Sequence, residues 1–386
     1  MQHCPKFDAK DRRLAVVTTI TSWDEPPRFR HQVTRQLTRF YNVLYVERSP
    51  SNLGKGQYLN RYEQINDHLV IYRPSQIPLM LLRFYGRLSF FHTVIDWITR
   101  KKIETVVKKF GYSNAILINF QYDFSMIMSS SIFYPKVYLC NDEFPNQAPR
   151  KWQRKLFSEY ENQVIRKADC CFVHSKPLYD KFITKHKNVN MILPGHEFNL
   201  DKQSKLKSSH NSPKKQISVC YMGYIDKRVL LEWLLEVVTH ENLFLYLIGP
   251  VKKSIDISPL FEFSNFEMVS PLEGEVLQSL LRNMDVCIIP FDIKLEVVKA
   301  CTPNKLFQYI ACGKPVVISN MDHLIELPDK FIYVANSTKE FVDCIVKAHS
   351  EDCDELTTQR IELARENSWD VRGDHLHLIL ESYMKG

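Results

Sequence analysis

At 386 residues the chain is too long for one ordinary domain and long enough for two, each with its own core. Its 45% hydrophobic and 25% charged residues are the proportions of a soluble globular protein, which excludes a largely disordered chain. The net charge of +7 conceals an asymmetry, because residues 1–200 carry 30 Lys and Arg against 17 Asp and Glu, whereas the remainder carries 21 against 27. A basic first half expects an anionic partner. Zinc-finger spacings and RNA-binding aromatic signatures are absent, so that partner is a membrane surface or an anionic acceptor and not nucleic acid. Most of the ten cysteines sit in apolar runs (Cys140, Cys170, Cys171, Cys220, Cys287) without a CxxC pair. They read as reduced core residues of a cytoplasmic protein and imply neither a disulfide framework nor a bound metal.

Met1 to Arg13 is polar and lacks the apolar core of a secretory signal. Strand-like runs then alternate with amphipathic stretches. The strands are expected at Leu14 to Ile20, Asn42 to Glu47, His68 to Tyr72, Ala115 to Phe120, Lys136 to Cys140, Asp169 to Val173 and Val189 to Leu193; the helices at Arg30 to Phe40, Thr93 to Phe110, Trp152 to Lys167 and Pro177 to Lys185. That alternation predicts a parallel sheet covered by helices. The stretch from Ile77 to Trp97 mixes arginines with aromatics and leucines. It suits a segment lying in a membrane headgroup region, or a core helix preceded by a loop. No run approaches the ~20 apolar residues needed to span a bilayer.

Asp201 to Gln216, rich in Lys and Ser and containing Pro213, reads as a linker. The pattern then restarts with a strand at Ile217 to Met222, a helix at Val229 to Val238, a strand at Leu243 to Ile248, a helix at Gly274 to Arg282 and a strand at Asp285 to Pro290. After a loop from Asp292 to Ala300 comes a sharply bounded element. Thr302 is placed to cap a helix, Pro303 suits its first position, Leu306, Phe307, Ile310 and Ala311 form its apolar face, and Gly313 can take the left-handed conformation that ends it. Val316 to Ile318 follows as a strand. Lys305 stands out as a cation in the first turn, where the helix dipole disfavours positive charge; a bound phosphate would remove the conflict. A strand, a loop and a helix N-terminus form the usual nucleotide position of an open α/β sheet. A further helix is expected from Lys339 to Ala348, and beyond Asp352 the sequence is helical with a break at Asn367 to Trp369. Asp352-Cys353-Asp354, the only DxD-like grouping, reads as a helix start. The organisation is α/β: residues 1–200, residues 217–366, and a terminal helix over 367–386 that turns back on the first domain.

Several of these segments, in this order, resemble the GT-B glycosyltransferases, in particular the family-4-like members and the xanthan-type glucuronosyltransferases. They are Ala168 to Ser175, Ile192 to Gly195, Tyr221-Met222-Gly223-Tyr224-Ile225-Asp226, Leu247-Ile248-Gly249-Pro250, Asp285 to Phe291 and Lys305 to Val317. The resemblance covers about residues 168–335 and extends only loosely to the first domain. It implies two Rossmann-like domains facing across a cleft, with a nucleotide-sugar donor, UDP-linked, on the second and a lipid-linked or polysaccharide acceptor on the first. The implied setting is surface-glycan synthesis in the cytoplasm, peripheral to the membrane.

Residue by residue, the resemblance lets Gly223 approach the diphosphate, pairs Lys305 with a phosphate and puts Gln308, on the same helix face, at the ribose or sugar. Pro271 and Leu272 would touch the base through backbone atoms. Thr302, Lys227 and Arg228 complete the binding set. Many retaining members carry two glutamates eight residues apart around this helix, where this chain has Ala300 and Gln308. The departure fits the inverting xanthan-type enzymes, which need a general base on the acceptor side. Asp142, just beyond the end of a predicted strand, is the candidate base, with Glu143, His31 and Asp24 as rivals. Arg28, Arg30 and His31 alternatively bind an acceptor phosphate or coat a helix. No metal or other cofactor is implied, because helix N–H groups and basic residues can stabilise the leaving diphosphate. Two other readings are a retaining family-4-like enzyme and a non-catalytic GT-B scaffold. The absence of a GxGxxG after Leu14 to Ile20 or Ile217 to Met222 argues against a Rossmann dehydrogenase.

Overall fold

The computed structural model describes residues 7, 11–48, 60–75, 89–200, 216–321 and 327–385. The chain forms two compact units, one comprising residues 1–193 and 372–386 and the other residues 194–371. Residues 194–200, expected with the first domain, belong to the second unit. Of the expected linker, 201–215 lie outside the described residues.

The first unit contains β1 (Leu14–Thr19), α1 (Phe29–Leu37), β2 (Asn42–Glu47), β3 (Arg61–Asn66), β4 (Leu69–Arg73), α2 (Ser89–Lys109) and β5 (Ala115–Asn119). It continues with α3 (Ser125–Met128), β6 (Phe133–Cys140), α4 (Phe144–Gln147), α5 (Lys151–Lys167), β7 (Cys170–Val173), α6 (Lys176–Ile183) and β8 (Val189–Met191). The strands form one sheet in the order β3-β4-β2-β1-β5-β6-β7-β8, parallel except at β3. Leu14 pairs with Asn42 on one side of β1 and Ala15 with Ile116 on the other. β1, β2 and β5 are buried throughout, as strands covered on both faces must be. Strand order reverses at β1, the position where open sheets bind ligands beyond their carboxyl ends. Of the segment from Ile77 to Trp97, residues 77–88 lie outside the described residues; in the part that begins α2, Ile95 and Asp96 are buried and Trp97 is exposed. Among the described residues no helix is long and apolar enough to cross a membrane.

The second unit contains β9 (Ile217–Met222), α7 (Leu231–Thr239), β10 (Leu243–Ile248), β11 (Phe266–Val269), α8 (Gly274–Arg282), β12 (Val286–Ile289), α9 (Glu296–Lys299), α10 (Asn304–Ala311), β13 (Val316–Ser319), β14 (Ile332–Ala335), α11 (Thr338–Glu351) and α12 (Asp354–Arg365). Its six strands run in the order β11-β10-β9-β12-β13-β14, all parallel, with Leu243 opposite Ile217 and Val286 opposite Val219. This is the doubly wound arrangement, and order reverses at β9. A last helix, α13 (Trp369–Lys385), starts in this unit, and from Arg372 its residues belong to the first. There His377 stacks on Phe40 at 4.0 Å and its Nδ1 lies 2.8 Å from the Tyr41 hydroxyl.

Three expectations need correction. The loop from Asp292 to Ala300 contains the short helix α9. The helix carrying Lys305 begins one residue later than expected: Pro303, with ψ 123°, is its N-cap, and Thr302 lies before it without capping. Strands β3, β11 and β14 were not anticipated. Gly313 does end α10 with φ +72°, and a Cβ there would meet Thr357 of α12 at 2.7 Å. Arg360, fully buried on α12, donates to the Gly313 carbonyl at 2.6 Å and pairs with Asp352 at 2.7 Å. Asp352 is thus a structural anchor and Asp354 opens α12.

Candidate functional site

The carboxyl edge of the second sheet is built from glycines and one lysine. Beyond β9 the chain turns at Gly223, with φ +110°, where a side chain is disfavoured. Its N–H donates to the Ile248 carbonyl at 2.8 Å, and the Gly249 N–H donates to Val269 at 3.1 Å, so the ends of β9, β10 and β11 are tied side by side. Gly249 has φ +131°, and a Cβ there would come within 2.6 Å of the Gly223 carbonyl oxygen. The two glycines let the strands close up and leave bare backbone at the edge.

Lys305, in the first turn of α10, reaches over this turn. A Cβ on Gly223 would lie 3.2 Å from its Nζ, which sits 3.6 Å from the centre of the Tyr221 ring and 4.9 Å from that of Phe291. Among the described residues Lys305 has no hydrogen-bond or ion-pair partner. Burial, aided by the nearby Arg228 cation, pushes its pKa well below the ordinary lysine value. The helix itself is pinned to the turn, because the buried Tyr309 hydroxyl accepts a 2.8 Å hydrogen bond from the Met222 N–H. β12 pairs with β9 only at Val219 and Cys220, so this hydroxyl supplies a partner that the neighbouring strand does not.

Arg228 is held to Asp226 by two bonds of 2.9 Å, and its guanidinium lies 5.5 Å from the Phe291 ring. Lys252 approaches the same carboxylate at 3.5 Å. Burial opposes the charged form of Asp226, yet the Arg228 hydrogen bonds outweigh it and hold the carboxyl below its usual range. The segment is fixed to the end of β12 by Leu230 N–H to Pro290 at 2.8 Å and Asp292 N–H to Arg228 at 2.7 Å. Three basic side chains and one carboxylate leave this edge positive beside the half-buried backbone of Gly223, an arrangement chemically suited to an oxyanion.

The structure therefore brings Gly223, Arg228 and Lys305 together. Gln308 is half-buried on α10, its side chain without a hydrogen-bond partner among the described residues. Thr302 is buried just before the helix. Lys227 is exposed beside Arg228. Pro271, exposed, and Leu272, half-buried, follow β11, two strands away from β9, and share only the sheet edge with the lysine.

At the carboxyl edge of the first sheet, Asp142 follows β6, half-buried, and its Oδ1 accepts the Glu143 N–H at 2.9 Å. Its rivals are engaged elsewhere. Glu143 is paired with Lys181 at 2.8 Å, and Asp24 with Arg73 at 3.0 Å. His31 accepts the Arg28 N–H on Nδ1 at 3.0 Å and reaches the Ser22 carbonyl through Nε2 at 2.9 Å, so both ring nitrogens serve the loop that enters α1. Burial also lowers the His31 pKa.

A family model described as glycosyl transferases group 1 matches residues 216–351, the part of the second unit that holds the lysine and glycine edge. The putative teichuronic acid biosynthesis glycosyltransferase TuaH of Bacillus subtilis (strain 168) is 22% identical over 232 residues, 57% of this chain and 58% of the relative, so the match spans little more than half of that protein. Sucrose-phosphate synthase from Thermosynechococcus elongatus superposes with a TM-score of 0.70 at 13% identity, covering 97% of this chain and 100% of that one. An α,α-trehalose-phosphate synthase (UDP-forming) from Burkholderia xenovorans, in complex with glucose-6-phosphate, gives 0.68 at 11% identity over 96% of this chain and 100% of that one. The chain has the GT-B fold, and its residues 216–351 match the glycosyl transferases group 1 model.

In this GT-B fold several residues of the two edges escaped sequence reasoning. Tyr309 looks like one more apolar residue of an amphipathic helix, and nothing in the sequence marks its hydroxyl as the link to β9. Tyr221 and Phe291 sit in strand-like runs, so their rings read as core. Asp226 had a visible signal, an acid two residues before Arg228, but an isolated Asp-x-Arg is too common to be diagnostic. The buried pairs Glu47 with Arg73 (2.8 Å) and Arg48 with Asp96 join residues far apart in sequence.

Proposed function

We propose that this chain transfers a sugar from a nucleoside-diphosphate donor, UDP-linked, to a hydroxyl of a lipid-linked or polysaccharide acceptor in surface-glycan synthesis, with inversion and without a metal. The observation that carries the reading is the Lys305 ammonium, half-buried and without a hydrogen-bond or ion-pair partner among the described residues, over the bare backbone of Gly223. Such a group has a physical reason to exist if a diphosphate completes it. Lys305, Arg228 and the N–H groups at the start of α10 would meet the charge that develops on the leaving diphosphate, and Gln308 and Thr302 would contact the ribose or sugar. Pro271 and Leu272 would border the base, with Lys227 at the rim. The acceptor oxygen attacks the anomeric carbon, the bond from that carbon to the diphosphate oxygen breaks with its electron pair on the diphosphate, and Asp142 takes the hydroxyl proton.

The UDP and polymer assignments draw support from relatives. One solved neighbour is described as bound with UDP-2-fluoro glucose and the curated relative as a teichuronic acid enzyme. Attachment to the cytoplasmic face of a membrane is supported by the basic composition of residues 1–200 and by the start of α5, where exposed Trp152 lies among Arg150, Lys151, Arg154 and Lys155. Retention is the second reading, because a trehalose-6-phosphate synthase of the same fold is described in terms of glycosyltransfer with retention. The test is a pair of substitutions. Lys305→Ala should weaken donor binding strongly, and Asp142→Asn should abolish turnover while sparing donor affinity. Normal turnover in both proteins would refute the site, and the anomeric configuration of the product separates inversion from retention.

A further inference from the structure

We propose that Arg30 is an oxyanion-binding residue of the first unit and holds a phosphate group of the acceptor near Asp142. The proposal rests on the reading that this unit takes the acceptor. Arg30 stands in the first turn of α1, the crossover that leaves β1 where the strand order reverses. It is 8% exposed. A guanidinium offers five N–H donors in a rigid fork, yet among the described residues this one makes two hydrogen bonds, both to neutral oxygens: Nη1 to Thr21 Oγ1, and Nη2 to Asn141 Oδ1 at 3.3 Å. Its Nε is buried without a partner among the described residues.

The other basic side chains near this edge set the contrast. Arg48 is paired with Asp96, Arg73 with Glu47, and Lys181 with Glu143 and Glu161. Arg28 is paired with Glu25 at 2.8 Å, and both nitrogens of His31 are engaged. Arg30 has no ion pair among the described residues; Asp142 acts on it only through space. The Phe120 and Phe144 rings, each 5.8 Å from its central carbon, add a low-dielectric wall. The first turn of α1 contains no acidic residue that could serve as counter-charge. Burial lowers the pKa of Arg30, but a guanidinium remains charged at neutral pH. A fork so buried and so little satisfied is matched by a planar or tetrahedral oxyanion, which accepts two parallel N–H bonds.

The experiment uses the full chain carrying Lys305→Ala, which silences the lysine edge of the second unit, with inorganic phosphate as the probe and the melting temperature as the readout. Phosphate should raise the melting temperature of this protein. Adding Arg30→Gln should weaken the apparent affinity tenfold or more, and adding Arg30→Lys, which keeps the charge and loses the fork, should weaken it several-fold. Should the glutamine protein fail to fold, the lysine protein decides. An unchanged phosphate titration in the folded variants, or no response to phosphate before Arg30 is altered, overturns the proposal. Glucose 6-phosphate and farnesyl diphosphate extend the test: Arg30-dependent binding of the first identifies a soluble sugar phosphate and of the second a lipid headgroup, and either supports the assignment. None of these titrations needs turnover or a donor, so they stand or fall separately from the proposed transfer reaction.

Discussion

Replacing Lys305 by methionine should move stability and ligand binding independently. In the free protein the ammonium gains cation–π attraction from Tyr221 at 3.6 Å and Phe291 at 4.9 Å, worth about 1–2 kcal/mol. Against this stands the loss of hydration by an ammonium with no hydrogen-bond acceptor among the described residues, several kcal/mol before relaxation. The lowered pKa shows that cost exceeds gain for the charged form. Methionine keeps most of the volume and removes the penalty, so the folded protein should change by less than about 1 kcal/mol, or gain that much. Binding of UDP should behave in the opposite way. A hydrogen bond between a charged donor and a phosphate is worth about 1.5–3 kcal/mol, so affinity should fall roughly 10- to 150-fold. Urea denaturation measures the first quantity and isothermal titration with UDP the second. Destabilisation by more than about 2 kcal/mol with unchanged UDP affinity would refute the reasoning, because that is the result of a structural lysine.

Tyr309→Phe removes the acceptor of the Met222 N–H and should cost about 1–3 kcal/mol in urea denaturation, with weaker UDP binding as the Gly223 turn loosens. Gly249→Ala places a Cβ 2.6 Å from the Gly223 oxygen at φ +131°. Crowding of about 1–3 kcal/mol, together with about 1–2 kcal/mol of backbone strain, should lower the melting temperature and impair UDP binding. The pH dependence follows from Lys305. Its folded pKa lies below the ordinary 10.5, so the unfolded chain binds the proton more tightly between those two values. Stability of the free protein should therefore rise with pH across that window, Lys305→Met should flatten the rise, and UDP affinity should fall over the same range as the amine loses its proton.

The central strands were legible because burial on both faces leaves near-continuous apolar runs: Leu14 to Val17 and Leu243 to Ile248 could hardly be anything else. Edge strands carry no such mark. β3 reads Arg-Tyr-Glu-Gln-Ile-Asn and is mostly exposed, so its pairing with β4 is decided by backbone hydrogen bonds that composition does not reveal. β11 and β14 are short and only half-buried for the same reason. At the site, Lys305 was visible as a charge placed against a helix dipole, and Gly223 as a glycine at a strand end. The start of the helix slipped by one residue because Pro303, with its fixed φ, serves as an N-cap as readily as it opens a helix. What remained hidden was partnership: that Arg228 is neutralised by Asp226, that His31 and Glu143 are fully used, and that Arg30 is not.

The most direct test of the central claim is a thermal-shift panel of UDP-, GDP-, CMP- and TDP-sugars against the unmodified protein. Binding to the folded state alone adds about 2.7 kcal/mol of stability at a ligand concentration one hundred times the dissociation constant, which is several degrees in melting temperature. A rise with UDP-sugars, absent for the other nucleotides, is the result expected here. No shift with any nucleotide would contradict a donor site at Lys305 and favour a GT-B scaffold without catalysis.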